Sequence, residues 1–183
     1  MRSAYPSRHV ADRIGLKSPA VLTIRPALAT DLEAIRAIYN QGIEDRCATL
    51  ESEPHDAAQI AAWWALHDDR YIATVAENDS RTIVAWASLN RFSHRCAHTA
   101  IADLSIYVAR SQRGMGIGKM LVTDILKRAR RSFRKVVLHA LDENVAGKRL
   151  YASLGFREVG VFRQHGELDG RLLDVIAMET LLP

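Results

Sequence analysis

The sequence predicts an α/β domain built on a mixed central sheet, and three observations predict it. The apolar run Leu104–Val108 leads through Gln112-Arg113-Gly114-Met115-Gly116-Ile117-Gly118-Lys119 into a helical pattern over Leu121–Ala129, which is a strand–loop–helix unit. Lys135–Leu141 is almost fully apolar, as a strand in the middle of a sheet is when both faces are covered. Strand and helix patterns follow one another along most of the chain without an internal repeat.

Taken in order, residues 1–20 show no period and contain Pro6, Gly15 and Pro19 among scattered arginines, so they are expected to be a disordered basic tail. The remaining 21–183 are expected to form a single domain, which suits a chain of 183 residues that is 48% hydrophobic and 25% charged. Val21–Ala27 reads as the first strand. Thr30-Asp31-Leu32-Glu33 has the pattern of a capping box, which starts a helix at Asp31; Leu32, Ile35, Ile38 and Tyr39 form its buried stripe and Gly42 marks its end. Ile43–Pro54 is polar and aperiodic, a long loop of the functional kind. A second helix spans Asp56–Leu66, with Ile60, Trp63 and Trp64 on its apolar side; tryptophans in such a place are core or interface more often than ligand platforms. Tyr71–Glu77 and Thr82–Leu89 form a hairpin around Asn78-Asp79-Ser80, and a longer strand, His98–Val108, follows the polar loop Asn90–Ala97. Asn144 caps a short helix through Leu154 that stops at Gly155. Arg157–Phe162 and Leu172–Leu181 end the chain as two strands around a polar connection, Arg163–Arg171.

The net charge of +4 does not announce a nucleic-acid partner. Arg2, Arg8, Arg13 and Lys17 against Asp12 place +3 of it in the first twenty residues and leave a nearly neutral body. Cys47 and Cys96 are too few for a disulfide framework and read as free thiols in a reducing compartment. No apolar run reaches the ~20 residues that cross a bilayer, and no secretory core stands near the N-terminus. The expectation is a cytoplasmic protein with no membrane partner and no metal.

The glycine stretch reads as an anion cradle. Glycines at alternate positions allow a tight turn and leave backbone N–H groups uncovered, and the helix that follows points its positive end at the same place. It is not a P-loop, because Arg113 stands where the first glycine belongs and Met120 follows Lys119; nor is it a dinucleotide fingerprint, whose third glycine would fall at Lys119. Arg-x-x-Gly-x-Gly, read as Arg113, Gly116 and Gly118, resembles the pyrophosphate loop of the GNAT acetyltransferase superfamily. A second match is Asn144-x-x-Ala-Gly-Lys148-Arg-Leu-Tyr151-x-x-x-Gly155-Phe156. The resemblance implies the GNAT fold, with a splayed strand pair in the mixed sheet and flanking helices, and acetyl-CoA as cosubstrate. It places Ile106, Val108, Arg113, Gly114, Gly116, Gly118, Lys119, Asn144 and Lys148 around the donor and Tyr151 at the thioester sulfur, where a phenol can protonate or hydrogen-bond a departing thiolate.

A closer resemblance runs from Thr23 to Leu182. Thr23-Ile24-Arg25-Pro26-Ala27, Ile38-Tyr39-Asn40-Gln41-Gly42-Ile43-Glu44-Asp45-Arg46, Ala48-Thr49-Leu50-Glu51, Val84-Ala85-Trp86-Ala87-Ser88 and Asp169-Gly170-Arg171 are similar to the phosphinothricin N-acetyltransferase group, nearest to its arsinothricin N-acetyltransferase branch. This implies a homodimer that acetylates the α-amino group of glutamate-like antimetabolites such as phosphinothricin, arsinothricin and methionine sulfone or sulfoximine, and so confers resistance. Where the group carries a glutamate base this chain has Asp103, one methylene shorter and suited to act through an ordered water. His98 and His139 are rival bases, of which His139 ranks second to Asp103. Guanidinium groups are wanted for a two-anion acceptor; Arg46 with Thr49 leads, followed by Arg91, Arg95, Arg163, His165 and Arg171. His139 also counts among the acceptor-site residues. The alternatives are an acetyltransferase of protein N-termini or lysines, which wants an open groove, and a non-catalytic acyl-CoA sensor, which would tolerate loss of Tyr151.

Overall fold

In the computed structural model, which describes residues 22–183, seven strands share one sheet. They are β1 (Thr23–Pro26), β2 (Ala73–Glu77), β3 (Ile83–Arg91), β4 (Ile101–Val108), β5 (Lys135–Leu141), β6 (Arg157–Leu168) and β7 (Arg171–Leu181), in the order β1-β2-β3-β4-β5-β7-β6. The expected basic tail lies outside the described residues. Every neighbouring pair is antiparallel except β4 and β5. That one parallel pair needs a crossover, and α3 (Ile117–Ala129) supplies it.

Helix α1 (Leu32–Glu44) and α2 (Ala57–Trp64) cover one face, where Ile35 and Ile38 pack with Val75 and Trp86. The other face is covered by α3 and α4 (Val145–Ser153), whose Leu121, Val122, Ile125 and Tyr151 meet Leu104, Val136 and Leu138. β5 lies between these layers and is buried at five of its seven residues, which agrees with its apolar sequence.

Four expectations are corrected. The Thr30 capping box does not form; Asp31 accepts from the Leu28 N–H at 2.8 Å and from Arg25 at 2.7 and 2.9 Å, and the α-helix begins one residue later at Leu32. Gly42 does not end α1, which continues to Glu44. It is buried at a close approach, where a Cβ would lie 2.8 Å from the Tyr107 ring. His98 belongs to a 3-10 turn, Cys96–His98, and β4 starts at Ile101. Residues 163–171 are not a loop: β6 and β7 remain paired through Gly166↔Leu173 to Leu168↔Arg171. A register shift between Phe162 and Gly166 breaks the alternation that would have announced the strand, and most of β6 is exposed, so polar residues suit it. Asp169 and Gly170, at φ 51° and 74°, form the tight turn, a two-residue signal the sequence did contain.

Candidate active site

The site begins where the parallel ladder ends. β4 pairs with β5 only at Ile101↔Lys135, Ala102↔Val136 and Asp103↔Val137, whereas its other edge stays paired with β3 as far as Ala85↔Val108. Beyond Asp103 the edge of β4 facing β5 has no strand on it, so its backbone groups are available to a ligand.

A cavity of about 450 Å³ fills this opening and is walled by Ile106 and Val108 of β4, the glycine stretch, and Asn144, Leu150 and Tyr151. The glycines there have two different tasks. Gly114 and Gly116 hold φ of 77° and 80°, a left-handed backbone that favours glycine, and a Cβ at either would touch nothing within 4 Å. These are the residues that expose the backbone. Gly118 is already helical and packed: a Cβ on it would lie 3.1 Å from Leu150 and 3.7 Å from Ile106. It brings α3 close to β4 and α4. Gly116 is the N-cap of α3 and offers no side-chain cap, nor is any acidic residue in the first turn, so the free N–H groups of a thirteen-residue helix face the cavity. Lys127 and Arg128 in the last turn suit the opposite pole.

The cations expected around this cradle are deployed differently. Lys119 is exposed on the cavity wall and has no ion pair among the described residues. Arg113 also lines the cavity, but its Nη1 meets Asp45 at 2.5 Å and its Nε donates to the Val108 carbonyl at 3.0 Å. Asp45 holds Arg110 as well, at 2.7 Å, and these guanidinium groups keep its carboxyl below the usual range, Arg110 most strongly. Arg113 therefore braces the loop after α1 against the cradle. Lys148 is held by Asp142 at 2.6 Å and is not on the wall. Asn144 is, and its carbonyl oxygen caps α4 by accepting from the Gly147 N–H at 2.9 Å. Tyr151 is buried beside Phe156, with its phenol pushed up to about 12 by desolvation.

A second cavity, of about 250 Å³, lies on the α1 side of the same strand, lined by Ile35 and Tyr39 of α1, His55 of the loop before α2, Ile60 and Trp63 of α2, Trp86 and Asn90 of β3, and Asp103, Ser105 and Tyr107 of β4. Tyr107 borders both cavities. Its ring stacks on Trp86 at 4.9 Å and meets the edge of Tyr39 at 4.8 Å. Asn90 donates to Ser105 Oγ at 3.0 Å and accepts from Ser88 at 3.1 Å, so the polar part of the wall is fixed. Asp103 faces His139 across the fork between the strands, with Oδ1 3.4 Å from Nδ1. The first- and second-ranked bases of the sequence, Asp103 and His139, are thus one pair, while His98 Nδ1 meets Ser93 Oγ at 2.7 Å.

The arginines expected to clamp an acceptor line neither cavity. Arg46 reaches Asp169 at 3.2 Å and the Ser52 carbonyl at 2.7 Å; Arg163 pairs with Asp174, Arg171 with Glu143, and Arg91 lies over the Tyr71 ring. Thr49 lines neither cavity, and its hydroxyl accepts from the Glu51 N–H at 3.1 Å. The polar and aromatic wall residues that the sequence reading missed include Tyr39, His55, Trp63, Trp86, Asn90, Ser105 and Tyr107. One signal was present: Asp103, Ser105 and Tyr107 alternate along β4 and so share a face.

The chain matches the Acetyltransferase (GNAT) family over residues 33–156. It is 32% identical over 162 residues to an L-methionine sulfoximine/L-methionine sulfone acetyltransferase of Pseudomonas paraeruginosa, covering 87% of this chain and 94% of that one. Among solved structures it is similar to a phosphinothricin acetyltransferase of Sinorhizobium meliloti in complex with acetyl-CoA, with TM-score 0.84, 29% identity and 88% of each chain covered. It is equally similar in fold to a ribosomal-protein-alanine N-acetyltransferase of Brucella melitensis, with TM-score 0.84, 32% identity, and 87% of this chain and 99% of that one covered.

Proposed function

The chain belongs to the acetyltransferase (GNAT) family and is an acetyl-CoA-dependent N-acetyltransferase, and from that premise we propose that it acetylates the α-amino group of a glutamate-like antimetabolite. Phosphinothricin, arsinothricin, methionine sulfone and methionine sulfoximine form the candidate set, and their acetylation would confer resistance. One observation carries the reading: an open cradle and a small, walled cavity share Tyr107, with Asp103 on the wall of the small cavity and His139 3.4 Å from it. A pocket of about 250 Å³ is the size for a free amino acid and small for a peptide segment.

The cradle fits the donor. Gly114 and Gly116 leave their backbone open, the first turn of α3 has uncapped N–H groups, and Lys119 is an exposed cation beside them. Acetyl-CoA supplies an activated acyl group as a thioester. On the acceptor side, Asp103 takes the ammonium proton through water, and His139 at 3.4 Å receives or steadies it. The amine then attacks the carbonyl carbon, the new C–N bond forms, the C–S bond breaks to release a thiolate, and the second proton shed by the nitrogen leaves with the thiolate or to water. The backbone of β4 near Ile106 and Val108 polarises the carbonyl. Tyr151 is a neutral phenol at pH 7, as any tyrosine is, and burial pushes it further up, to about 12. A thiol titrates near ~8.5, so complete proton transfer from such a phenol to the thiolate is uphill. Tyr151 therefore serves as a hydrogen-bond donor to the developing charge. A homodimer, a cytoplasmic location and a single domain over residues 21–183 complete the proposal.

The second reading, an acetyltransferase of protein N-termini, is favoured by the likeness to the ribosomal-protein-alanine enzyme. Thiol release from acetyl-CoA, measured with the four antimetabolites, free amino acids, polyamines and Ala-initiated peptides, separates the two. Turnover confined to peptides would overturn the first.

A further inference from the structure

If the cavity beside Asp103 receives the acceptor, its wall also says which acceptors it refuses. The residues that line it include no arginine and no lysine, and their fixed charge is the carboxylate of Asp103. The one side chain there able to become cationic is His55, whose Nε2 lies 3.8 Å from Glu51. The rest of the surface is ring faces and aliphatic carbon. Tyr39, Trp63, Trp86 and Tyr107 contact one another with centroid separations of 4.8 to 5.9 Å, so the cluster is locked by its own packing. Aromatic faces carry negative potential: they attract an ammonium group and repel an anion.

The amine has to lie at Asp103, at the fork, and its α-carboxylate shares the same carbon and stays near the opening. What enters between the rings is the far end of the acceptor. An anion there would be desolvated without a countercharge, which is the expensive way to bury a charge. A neutral end meets no such obstacle.

We propose that this cavity selects acceptor amines whose far end is uncharged, a sulfone or sulfoximine in preference to a phosphinate or arsonate, and that position 55 sets the selection. The proposal rests on the acceptor reading above and narrows it. His55 is suited to that role because its backbone, not its ring, holds it in place: its N–H donates to Asn40 Oδ1 and its carbonyl accepts from Asn40 Nδ2, each at 2.9 Å. The ring itself meets the edge of Tyr39 at 4.9 Å and is free to be exchanged.

The test compares kcat/KM of the purified full chain for methionine sulfone, phosphinothricin and the methyl ester of the phosphinothricin phosphinate. Methionine sulfone is expected to exceed phosphinothricin by more than about tenfold, chiefly through KM, and the ester, which removes only the charge, is expected to recover most of the difference. His55→Arg adds a fixed cation to the wall and is expected to narrow the preference by about tenfold, while the thermal shift produced by acetyl-CoA stays unchanged as proof of folding. Phosphinothricin turned over as well as the sulfone, or an ester no better than the acid, would overturn the proposal whether or not the variant folds. Turnover of peptides with none of the three compounds accepted would remove the acceptor reading itself and the proposal with it, a result distinct from a reversed preference.

Discussion

The two sides of β4 are built on different principles. On the α3 side the ligand surface is mostly backbone: two left-handed glycines, the uncapped first turn of a helix and the unpaired edge of a strand. On the α1 side it is side chains, brought together from two helices, two strands and the loop that carries His55. A surface made of backbone can be altered only by changing the chain's conformation, which makes it suited to a cosubstrate that never varies. A surface made of side chains can be altered one residue at a time. Acceptor specificity is therefore expected to belong to the α1 side and donor binding to the α3 side.

The largest effect that would sharpen this contrast is expected from Gly116→Val. The residue sits at φ 80°, where a β-branched side chain is strained, and the added methyls would cover the N–H groups of the cradle. Acetyl-CoA at a hundred times its Kd stabilises a folded protein by about 2.7 kcal/mol, a rise of about 5–10 °C in Tm for a domain of this size. The variant is expected to show no rise. Gly118→Ala is the control: its Cβ need only displace a Leu150 methyl by a few tenths of an ångström, so stability falls by about 1 kcal/mol and the acetyl-CoA shift persists. Equal loss of the shift in both variants would break the division of labour among the glycines.

The next effect lies at the fork. Asp103→Asn is expected to lower kcat about a hundredfold at neutral pH, with acetyl-CoA binding unchanged. Without the base the amine must lose its proton to solvent, so the rate should climb as pH rises through the amine's own pKa, about a unit or more above neutrality, and approach the unsubstituted enzyme there. A flat deficit across that range would mean that Asp103 only holds His139 in place. Tyr151→Phe should cost less, about ten- to a hundredfold in kcat, the worth of one hydrogen bond to a developing thiolate. A parallel rise in the acetyl-CoA dissociation constant would instead make the buried phenol a packing group.

The same contrast explains what was legible in the sequence. Gly114 and Gly116 announced the wall of the larger cavity because a backbone requirement leaves a local trace, a residue type at a fixed spacing. Asn144 and Tyr151 were legible for the same reason, one short helix carrying both. The smaller cavity left no such trace. Trp63 and Trp86 are 23 positions apart and become one wall only when α2 packs over β3. Gly42 was read as a helix stop because glycine usually is one; its reason, room for the Tyr107 ring, is a tertiary contact. The end of β6 was hidden by its bulge and by the polar residues an exposed ribbon tolerates. Asp103 and His139 were both named from the sequence but not as a pair, since they stand 36 positions apart and the whole crossover lies between them.

The smallest expected effect is the most informative about charge, and it concerns Arg46. A guanidinium in a long loop near the site looks like a clamp for an anionic acceptor, yet its Nε reaches Asp169 in the β6–β7 turn and its Nη1 the Ser52 carbonyl. Nearby, Leu50 occupies the space that Gly166 leaves open, where a Cβ would lie 2.6 Å from it, so the loop is seated on the hairpin by apolar contact as well. Arg46→Ala thus removes one arm of a seat that has another. Asp169 is well exposed, and a pair of this kind contributes up to about 1 kcal/mol. Stability should fall by no more than that, and KM for methionine sulfone should change less than about twofold. KM for phosphinothricin should move no more than KM for the sulfone, because the guanidinium faces neither compound in the cavity. A selective rise for phosphinothricin alone would show that Arg46 leaves Asp169 to meet a far-end anion, and would return the acceptor site to a charge-clamping design.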